Sequence, residues 1–173
     1  MTSPPDSTLP PKGLWNSQVA PKEYGSETQY YEHMFAQYKI FVDAAEQVSA
    51  RRNIANTFFL TLHTLLLGIV AFSYDKVQEL SYPQVIIVPL LSCLGLCYVW
   101  WQLLKSYRQL NTAKYQVIAE YERRLPSLPY WHEWILLGEG KNRRLYQPLS
   151  NVEQLVPVVV SFCLLYTSDA ADE

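Results

Sequence analysis

The residues most able to support chemistry in this sequence lie in its first long uncharged stretch. Five of them recur at intervals of four, four, three and four positions, which confines them to one narrow helix face: Asn53, Thr57, Thr61, Thr64 and Gly68. Asn56 and His63 form a second polar pair, about 100° away around the same helix. Hydroxyl, amide and imidazole groups can line a water-filled path for an ion or solute, and an imidazole can also titrate near neutral pH.

The same seven positions have a structural interpretation. Threonine hydroxyls in an apolar helix bond to backbone carbonyls, and glycine lets a second helix approach closely. Polar groups surrounded by hydrocarbon seek partners, so both faces should turn away from lipid. We expect helix packing as their role, with pore lining as the alternative.

Two short motifs come close to known catalytic or nucleotide-binding patterns. His132-Glu133 begins H-E-x-x-H, but the fifth position is Leu136, so the second zinc ligand is missing. The stretch 137–141 contains two glycines and a lysine but lacks the second half of a phosphate-binding loop, and we predict a turn there. No nucleophile with its base is evident, so we predict no catalytic residues and no cofactor.

Cys93 and Cys97 lie four positions apart on one face of the second uncharged stretch. A metal site needs more ligands than two thiols, and only His63 could add one from within the apolar segments. We therefore predict that both cysteines are packing residues and that the chain has no metal site.

The elements that position these residues are two runs without any Asp, Glu, Lys or Arg. The first comprises 22 residues, 53–74, and the second 25 residues, 80–104. A helix rises about 1.5 Å per residue, so each run covers the roughly 30 Å hydrocarbon core of a bilayer. The formal net charge of −2 gives no reason to expect nucleic acid as a partner. We predict an integral membrane protein.

Basic residues are concentrated at one end of each run. Lys39, Arg51 and Arg52 precede the first run, several Lys and Arg follow the second, and the link 75–79 carries only Lys76. The positive-inside rule then places both flanks in the cytoplasm and the link outside. The flanks themselves have apolar positions three and four residues apart, which predicts amphipathic helices that pair with each other or with neighbouring subunits in a coiled coil or bundle.

The two ends of the chain differ from its middle. Residues 1–29 are rich in Pro, Ser and Thr, which predicts a disordered tail. A third apolar helix should start near residue 151, behind a capping box in which Ser150 and Glu153 satisfy first-turn amides. Residues 163–173 resemble the translation of a sequencing-library adapter, and we expect the natural protein to continue differently from about residue 162.

Between the second amphipathic helix and the third apolar helix lies a segment with several Pro and Gly. Its basic cluster is Lys141, Arg143 and Arg144, close to a Trp-containing stretch. The cluster is suited to contact anionic lipid headgroups, although a solvated surface is the default expectation for it.

The fold class expected is an all-α integral membrane protein with two transmembrane helices, each extended by a cytoplasmic amphipathic helix, and a truncated third apolar helix. In chain order the predicted parts are a tail 1–29, a cytoplasmic helix 30–52, a transmembrane helix 53–74, an external loop 75–79, a transmembrane helix 80–104, a cytoplasmic helix 105–125, an irregular cytoplasmic region 126–150, the start of a third helix 151–162 and the adapter segment 163–173.

Several short patterns in a fixed order carry a resemblance to a known family. They are Ser49-Ala-Arg-Arg-Asn53 with Phe58-Phe-Leu60, Ser106-Tyr-Arg-Gln-Leu-Asn111 with Lys114, Leu125-Pro126, Glu133-Trp134, Leu137-Gly-Glu-Gly-Lys141, Tyr146, Pro148 and Val156-Pro157. In these patterns the chain resembles the bacterial family of octameric membrane proteins typified by RipA. The resemblance implies a multi-pass protein of the bacterial cytoplasmic (inner) membrane that forms an octamer with a role in adaptation or host growth.

Three functional hypotheses follow. The first is a non-enzymatic homo-oligomeric membrane protein that contacts membrane lipid and has its N-terminus in the cytoplasm. The second is a small channel or transporter lined by the Thr/His face of the first membrane helix. The third is an accessory subunit whose region 126–150 recruits an unidentified cytoplasmic protein.

Overall fold

The computed structural model of the chain describes residues 13–16, 19, 21–79, 84–142, 144 and 146–169. Within these ranges the chain is helical and contains no strand, as the sequence predicts. The helices are α1 (Glu27–Glu79), α2 (Gln84–Glu122), α3 (Pro129–Leu136), α4 (Leu149–Glu153) and α5 (Leu155–Asp169).

Helices α1 and α2 are each longer than a membrane is thick. α1 has 53 residues and α2 has 39, and each joins one uncharged run to one amphipathic flank without a break. Among the described residues these two helices are long and apolar enough to cross a membrane, and α5 is a shorter apolar helix. We call residues 27–52 of α1, residues 105–122 of α2 and the whole of α3 the extramembrane module, because the sequence analysis predicts that these residues lie outside the bilayer.

The turn between α1 and α2 lies later in the chain than the sequence analysis placed it. Residues 75–79, assigned there to an external loop, are helical and form the last turn of α1. Polar side chains do not by themselves end a helix, and the first helix breaker in this part of the sequence is Pro83. The reversal falls on residues 80–83, which lie outside the described residues.

α1 and α2 pack against each other as an antiparallel pair, from the contacts of Met34 and Tyr38 to those around Cys93 and Cys97. In the extramembrane module, Met34, Tyr38 and Ala45 of α1 pack against Ile118 and Tyr121 of α2. Deeper in the apolar runs, Phe59 packs against Trp100 and Leu104, and Val156 and Val160 of α5 cover the same cluster. The third helix therefore packs on α2.

The segment before α1 is partly fixed to the fold. The ring of Trp15 packs edge-on against Tyr121 at a centroid distance of 5.2 Å, and the guanidinium of Arg124 lies 3.6 Å from the Trp15 ring centre. The hydroxyl of Tyr24 lies 3.0 Å from Nδ1 of His33. Trp15 thus holds part of the segment 1–29, for which the composition predicted disorder, against α2 and the residues that follow it. Residues 1–12 lie outside the described residues.

The start of the third apolar helix differs from the predicted capping box. α4 begins at Leu149, with Pro148 as its N-cap, so Ser150 stands inside the helix. The carboxylate of Glu153 instead forms an ion pair with Arg52 at an N–O distance of 2.9 Å. A nearby guanidinium is a stronger partner for a carboxylate than a neutral backbone amide, and this pair ties the third helix to α1.

Candidate functional site

The two polar sets of α1 lie in different surroundings. Asn56 and His63 face α2, where Asn56 is half-buried and His63 is 2% exposed. The other five positions are exposed in the single chain: Asn53, Thr57, Thr61, Thr64 and Gly68. We call these five positions the threonine face. The two polar sets therefore lie on different faces of α1, as the sequence predicts. Of the two, the pair Asn56 and His63 is the one that contacts another helix of the same chain.

The amide of Asn56 pairs with a buried indole. Trp100 of α2 is fully buried and donates its Nε1–H to Oδ1 of Asn56 at 2.9 Å. The indole also stacks on Phe59, with a centroid distance of 5.6 Å and nearly parallel planes. Because a buried indole N–H needs an acceptor, Asn56 fixes the register of α1 against α2 at this level.

His63 bridges α1 and α2 through both ring nitrogens. Nδ1 lies 2.7 Å from the carbonyl oxygen of Phe59 and Nε2 lies 3.2 Å from that of Cys93. The sulfur of Cys97 is also 3.2 Å from Nε2. With the ring proton on Nδ1, the imidazole donates to Phe59 and accepts from the Cys97 thiol. The ring is thus held within the helix hairpin, away from the threonine face.

The two cysteines of α2 share this buried environment. Cys93 and Cys97 are each 2% exposed and belong to one packed cluster with apolar neighbours. Within the described ranges, no three side chains of His, Cys, Asp or Glu gather as a metal ion would require. The Cys97 sulfur also makes a polar contact with His63 of α1.

The threonine face has two hydroxyls bonded to its own helix and open space at its glycine. The hydroxyl of Thr57 donates to the carbonyl of Asn53 at 3.1 Å, and that of Thr64 donates to Leu60 at 2.9 Å. Apart from the backbone of its own helix, no atom of the described residues lies within 4 Å of where a Cβ on Gly68 would stand. A face with a glycine and with two threonine hydroxyls that bond to their own helix suits close approach by another helix.

Glu122 is a functional candidate that the sequence analysis missed. Its carboxylate is completely buried in the extramembrane module. Oε1 accepts hydrogen bonds from the Tyr38 hydroxyl at 3.2 Å and the Tyr130 N–H at 3.0 Å, and Oε2 accepts from the Trp131 N–H at 3.0 Å. The N-cap of α3 is Leu128, which has no polar side chain, so Glu122 serves the first amides of α3 from another helix.

The same contacts change the acidity of the tyrosine. Burial, and then the nearby Glu122 carboxylate, raises the pKa of Tyr38 to about 12. The sequence contained one signal for this arrangement, since Glu122 is four positions after Ile118 and so occupies a core position of the apolar stripe. An acidic residue at such a position predicts a specific partner, because a buried charge is costly without one.

The predicted lipid-contacting residues lie on an exposed turn. Lys141 and Arg144 are exposed, Lys141 forms an ion pair with Glu139, and Arg143 lies outside the described residues. Gly138, Glu139 and Gly140 all have positive φ angles, so the stretch 137–141 is a tight turn, as predicted. A Cβ on Gly140 would stand 3.1 Å from the Trp134 ring, which explains glycine at that position.

The fold is that of an integral membrane protein of the all-helical class. It has two apolar helices of membrane-spanning length, a third apolar helix packed against them and an uncovered face of small residues. The match to a known family agrees with this class. Residues 35–168 match the model of the octameric membrane protein family (8xMP), and the chain belongs to that family. The matched range runs past Cys163 into the predicted adapter segment. No curated protein and no solved structure matches the chain.

Proposed function

We propose that the chain is a non-enzymatic subunit of a homo-octamer in the bacterial cytoplasmic membrane, with its N-terminus in the cytoplasm. The assembly serves as a helical scaffold that supports membrane-associated adaptation or growth inside a host. The observation that carries the proposal is the threonine face, which is left uncovered in the single chain although its small residues suit contact with another helix.

The exposed hydroxyls argue for subunit contact rather than lipid contact. Lipid tails are as apolar as leucine, so a lipid-facing helix gains nothing from a row of threonines. A second helix gains close packing there, because Gly68 offers no side chain and the nearest threonine donors are satisfied within α1. Membership of an octameric family supplies the partner, namely further copies of the same chain.

The orientation follows from the charges that flank the apolar runs. Arg51 is exposed beside the start of the first run, and Lys105 and Arg108 are exposed beside the end of the second. These three cations lie at one end of the hairpin, where they can contact anionic headgroups of the inner leaflet. Lys141, Arg143 and Arg144 are proposed to add to the same interaction.

A channel or transporter is the second candidate. Exposure of Thr57, Thr61 and Thr64 favours it, because the same face could surround an aqueous axis in the octamer. Because His63 is buried between the helices, its imidazole would not line a channel along the threonine face. Such a channel would be lined by the threonines without the histidine. An accessory role, in which the region 126–150 recruits a protein, is supported only by the exposed apolar side chains of α3.

The replacement Gly68→Leu tests the scaffold and its contact face together. Gly68 is exposed, a Cβ there meets no described atom beyond its own helix, and leucine raises helix propensity, so we expect the fold of the monomer to be retained. We expect the octamer to dissociate in detergent, as measured by native mass, while helical content by circular dichroism stays unchanged. Ile69→Trp is the matched control, because Ile69 is 63% exposed on another side of α1 and should tolerate the larger ring.

Retention of the octamer in Gly68→Leu would contradict the assigned face. Flux measurements on the wild-type octamer in liposomes distinguish the scaffold from the channel or transporter. The scaffold predicts no ion or solute flux above that of empty liposomes, and flux that disappears on substitution of Thr61 by Leu would favour the channel.

A further inference from the structure

We infer that each chain holds one anionic phospholipid at the cytoplasmic end of the contact between α2 and α5. Lys105 and Arg108 contact the lipid phosphate, while Trp101 and Gln154 hold these two cations in place. We call these four residues the lipid site. The inference rests on the proposed membrane orientation, and it narrows the general attraction between basic flanks and headgroups to one defined site.

Lys105 and Arg108 lie at the depth of the lipid phosphates. Lys105 is the first charged residue after the second uncharged run, 80–104. Arg108 follows almost one helical turn later, about 4.5 Å farther along α2. The headgroup layer is roughly 5–8 Å thick on each side of the hydrocarbon core. Both cationic groups therefore fall within this layer.

The two cations differ from the neighbouring Arg52 in having no carboxylate partner among the described residues. Arg52 lies at the same end of the membrane run and pairs with Glu153. Lys105 and Arg108 are exposed, and neither forms an ion pair within the part of the chain that the structure describes. Cations at this depth without a carboxylate attract the phosphate of a lipid.

Two neighbouring side chains fix where these cations point. Nζ of Lys105 lies 5.2 Å from the ring centre of Trp101, one helical turn closer to the membrane centre. Nη1 of Arg108 donates to Oε1 of Gln154 at 3.5 Å, and Gln154 lies between α4 and α5. Each cation keeps further N–H donors for a ligand, because an ammonium has three and a guanidinium five. Side chains that are already positioned lose less freedom when they bind.

An apolar path for an acyl chain begins below the two cations. Tyr98 and Leu91 precede Lys105 by seven and fourteen residues, so the three side chains follow one line along α2. Tyr98 and Leu91 are each 61% exposed in the single chain. A phospholipid has its parts in the same order, with the phosphate at the surface and the acyl chains toward the membrane centre.

The charge of the lipid site favours a lipid with a net negative charge. Phosphatidylcholine carries its own ammonium group, which two nearby cations repel, whereas phosphatidylglycerol carries the phosphate charge alone. Lys105 supplies a compact point charge, and Arg108 supplies a fork of donors that matches phosphate oxygens. Basic sites between membrane helices on the cytoplasmic side recognise anionic headgroups in this way. We therefore expect a preference for phosphatidylglycerol.

Native mass spectrometry of the full chain in a mild detergent, titrated with dioleoyl-phosphatidylglycerol, tests the inference. The wild type should bind one such lipid per chain, and dioleoyl-phosphatidylcholine should bind at least fivefold more weakly. The double variant Lys105→Gln with Arg108→Gln should lower the affinity for the anionic lipid at least tenfold. Both replaced side chains are exposed, so helical content by circular dichroism should stay unchanged.

The matched control removes two cations that lie outside the headgroup layer. Lys39 and Arg123 are exposed and flank the extramembrane contacts of α1 and α2. Like Lys105, Lys39 lies over an aromatic ring, with Nζ 4.5 Å from the ring centre of Phe35. The double variant Lys39→Gln with Arg123→Gln makes the same change in net charge, and its affinity for phosphatidylglycerol should stay within twofold of the wild type.

Equal affinities in the two double variants, or equal binding of the two lipids by the wild type, would overturn the inference. Displacement of the lipid by an equal concentration of inorganic phosphate would also overturn it, because the site would then hold a free anion. These results would leave the proposed scaffold intact, since bound lipid is counted per chain whatever the number of chains. A wild-type protein that is monomeric in its membrane would instead contradict the scaffold itself.

Discussion

The carboxylate of Glu122 accepts a hydrogen bond from the hydroxyl of Tyr38, a residue 84 positions earlier in the chain, at an O–O distance of 3.2 Å. The same carboxylate accepts the first amides of α3, from Tyr130 and Trp131. One buried side chain therefore joins α1, α2 and α3. The orientation of α3 depends on this junction.

Replacement of Glu122 by alanine should release α3 from the module. The change leaves one buried donor, the Tyr38 hydroxyl, and two part-buried amides without their acceptor, which costs about 2–4 kcal/mol of unfolding free energy. Hydrogen exchange at the amides of Tyr130 and Trp131 should become at least tenfold faster. Glu120→Ala is the control, because Glu120 is exposed on the same helix, and equal exchange rates in the two variants would refute the assigned role.

The raised pKa of Tyr38 predicts a loss of stability in alkali. The unfolded chain loses the tyrosine proton near pH 10, whereas the folded chain keeps it until about pH 12. The unfolded state is thus favoured as the pH rises between these values, and below pH 10 this contribution does not change. The loss attributable to this group reaches about 2–3 kcal/mol at pH 12.

Comparison of the wild type with Tyr38→Phe measures that loss. Thermal unfolding in detergent, followed from pH 8 to pH 12 or the highest pH that the micelle tolerates, should show a smaller alkaline decline in the variant. At neutral pH the variant should be destabilised by about 1 kcal/mol, since Glu122 loses one of its three donors. Parallel pH profiles would show that Tyr38 does not titrate differently in the two states.

The ion pair between Arg52 and Glu153 should hold the third helix against α1. Both side chains are largely buried, at 13% and 16% exposed, so removal of one partner leaves a poorly solvated charge. We expect Glu153→Gln to lower the unfolding free energy by about 2–3 kcal/mol. The exchanged pair Arg52→Glu with Glu153→Arg should recover at least half of that loss in the same unfolding assay.

A second ion pair provides the control for this experiment. Lys141 and Glu139 lie on the exposed turn, with side chains 81% and 44% exposed, so Glu139→Gln should change stability by less than about 0.5 kcal/mol. Equal effects of Glu153→Gln and Glu139→Gln would mean that the third helix is held by apolar packing alone.

The two asparagines of α1 should respond differently to replacement by leucine. Asn56→Leu removes the acceptor of the fully buried Trp100 indole and should cost about 1–3 kcal/mol of unfolding free energy. Asn53→Leu changes an exposed position and should leave the unfolding of the single chain within about 0.5 kcal/mol of the wild type. Thermal unfolding of both variants in a detergent that keeps the chain monomeric makes the comparison.

The membrane helices and the polar faces of α1 could be predicted from the sequence of one chain. The uncharged runs predicted the membrane helices, and the spacing of Thr57, Thr61 and Thr64 predicted that they share a face separate from His63. Spacing within one helix cannot say which face a second helix covers. That choice depends on Trp100 and Cys97 of α2, whose positions relative to α1 are set by packing along the whole hairpin.

Other features were hidden because local patterns compete with distant partners. The sequence around Ser150 and Glu153 favours a capping box, yet the Glu153 carboxylate is drawn to Arg52, about a hundred positions earlier. Trp15 stands in a segment whose composition favours disorder, yet it contacts Arg124 and Tyr121.

The structure does not test whether residues 163–173 come from a sequencing adapter. Resequencing of the parent gene by a transposase-free method decides it.

The central claim is that this chain assembles with copies of itself into an octamer. Native mass spectrometry of the wild-type protein, extracted with its lipids in a mild detergent, tests that claim most directly. For an octamer we expect a dominant species of eight times the 20.0 kDa chain mass, with bound lipid. A dominant species of a single chain mass, under conditions in which the helices remain folded, would contradict it.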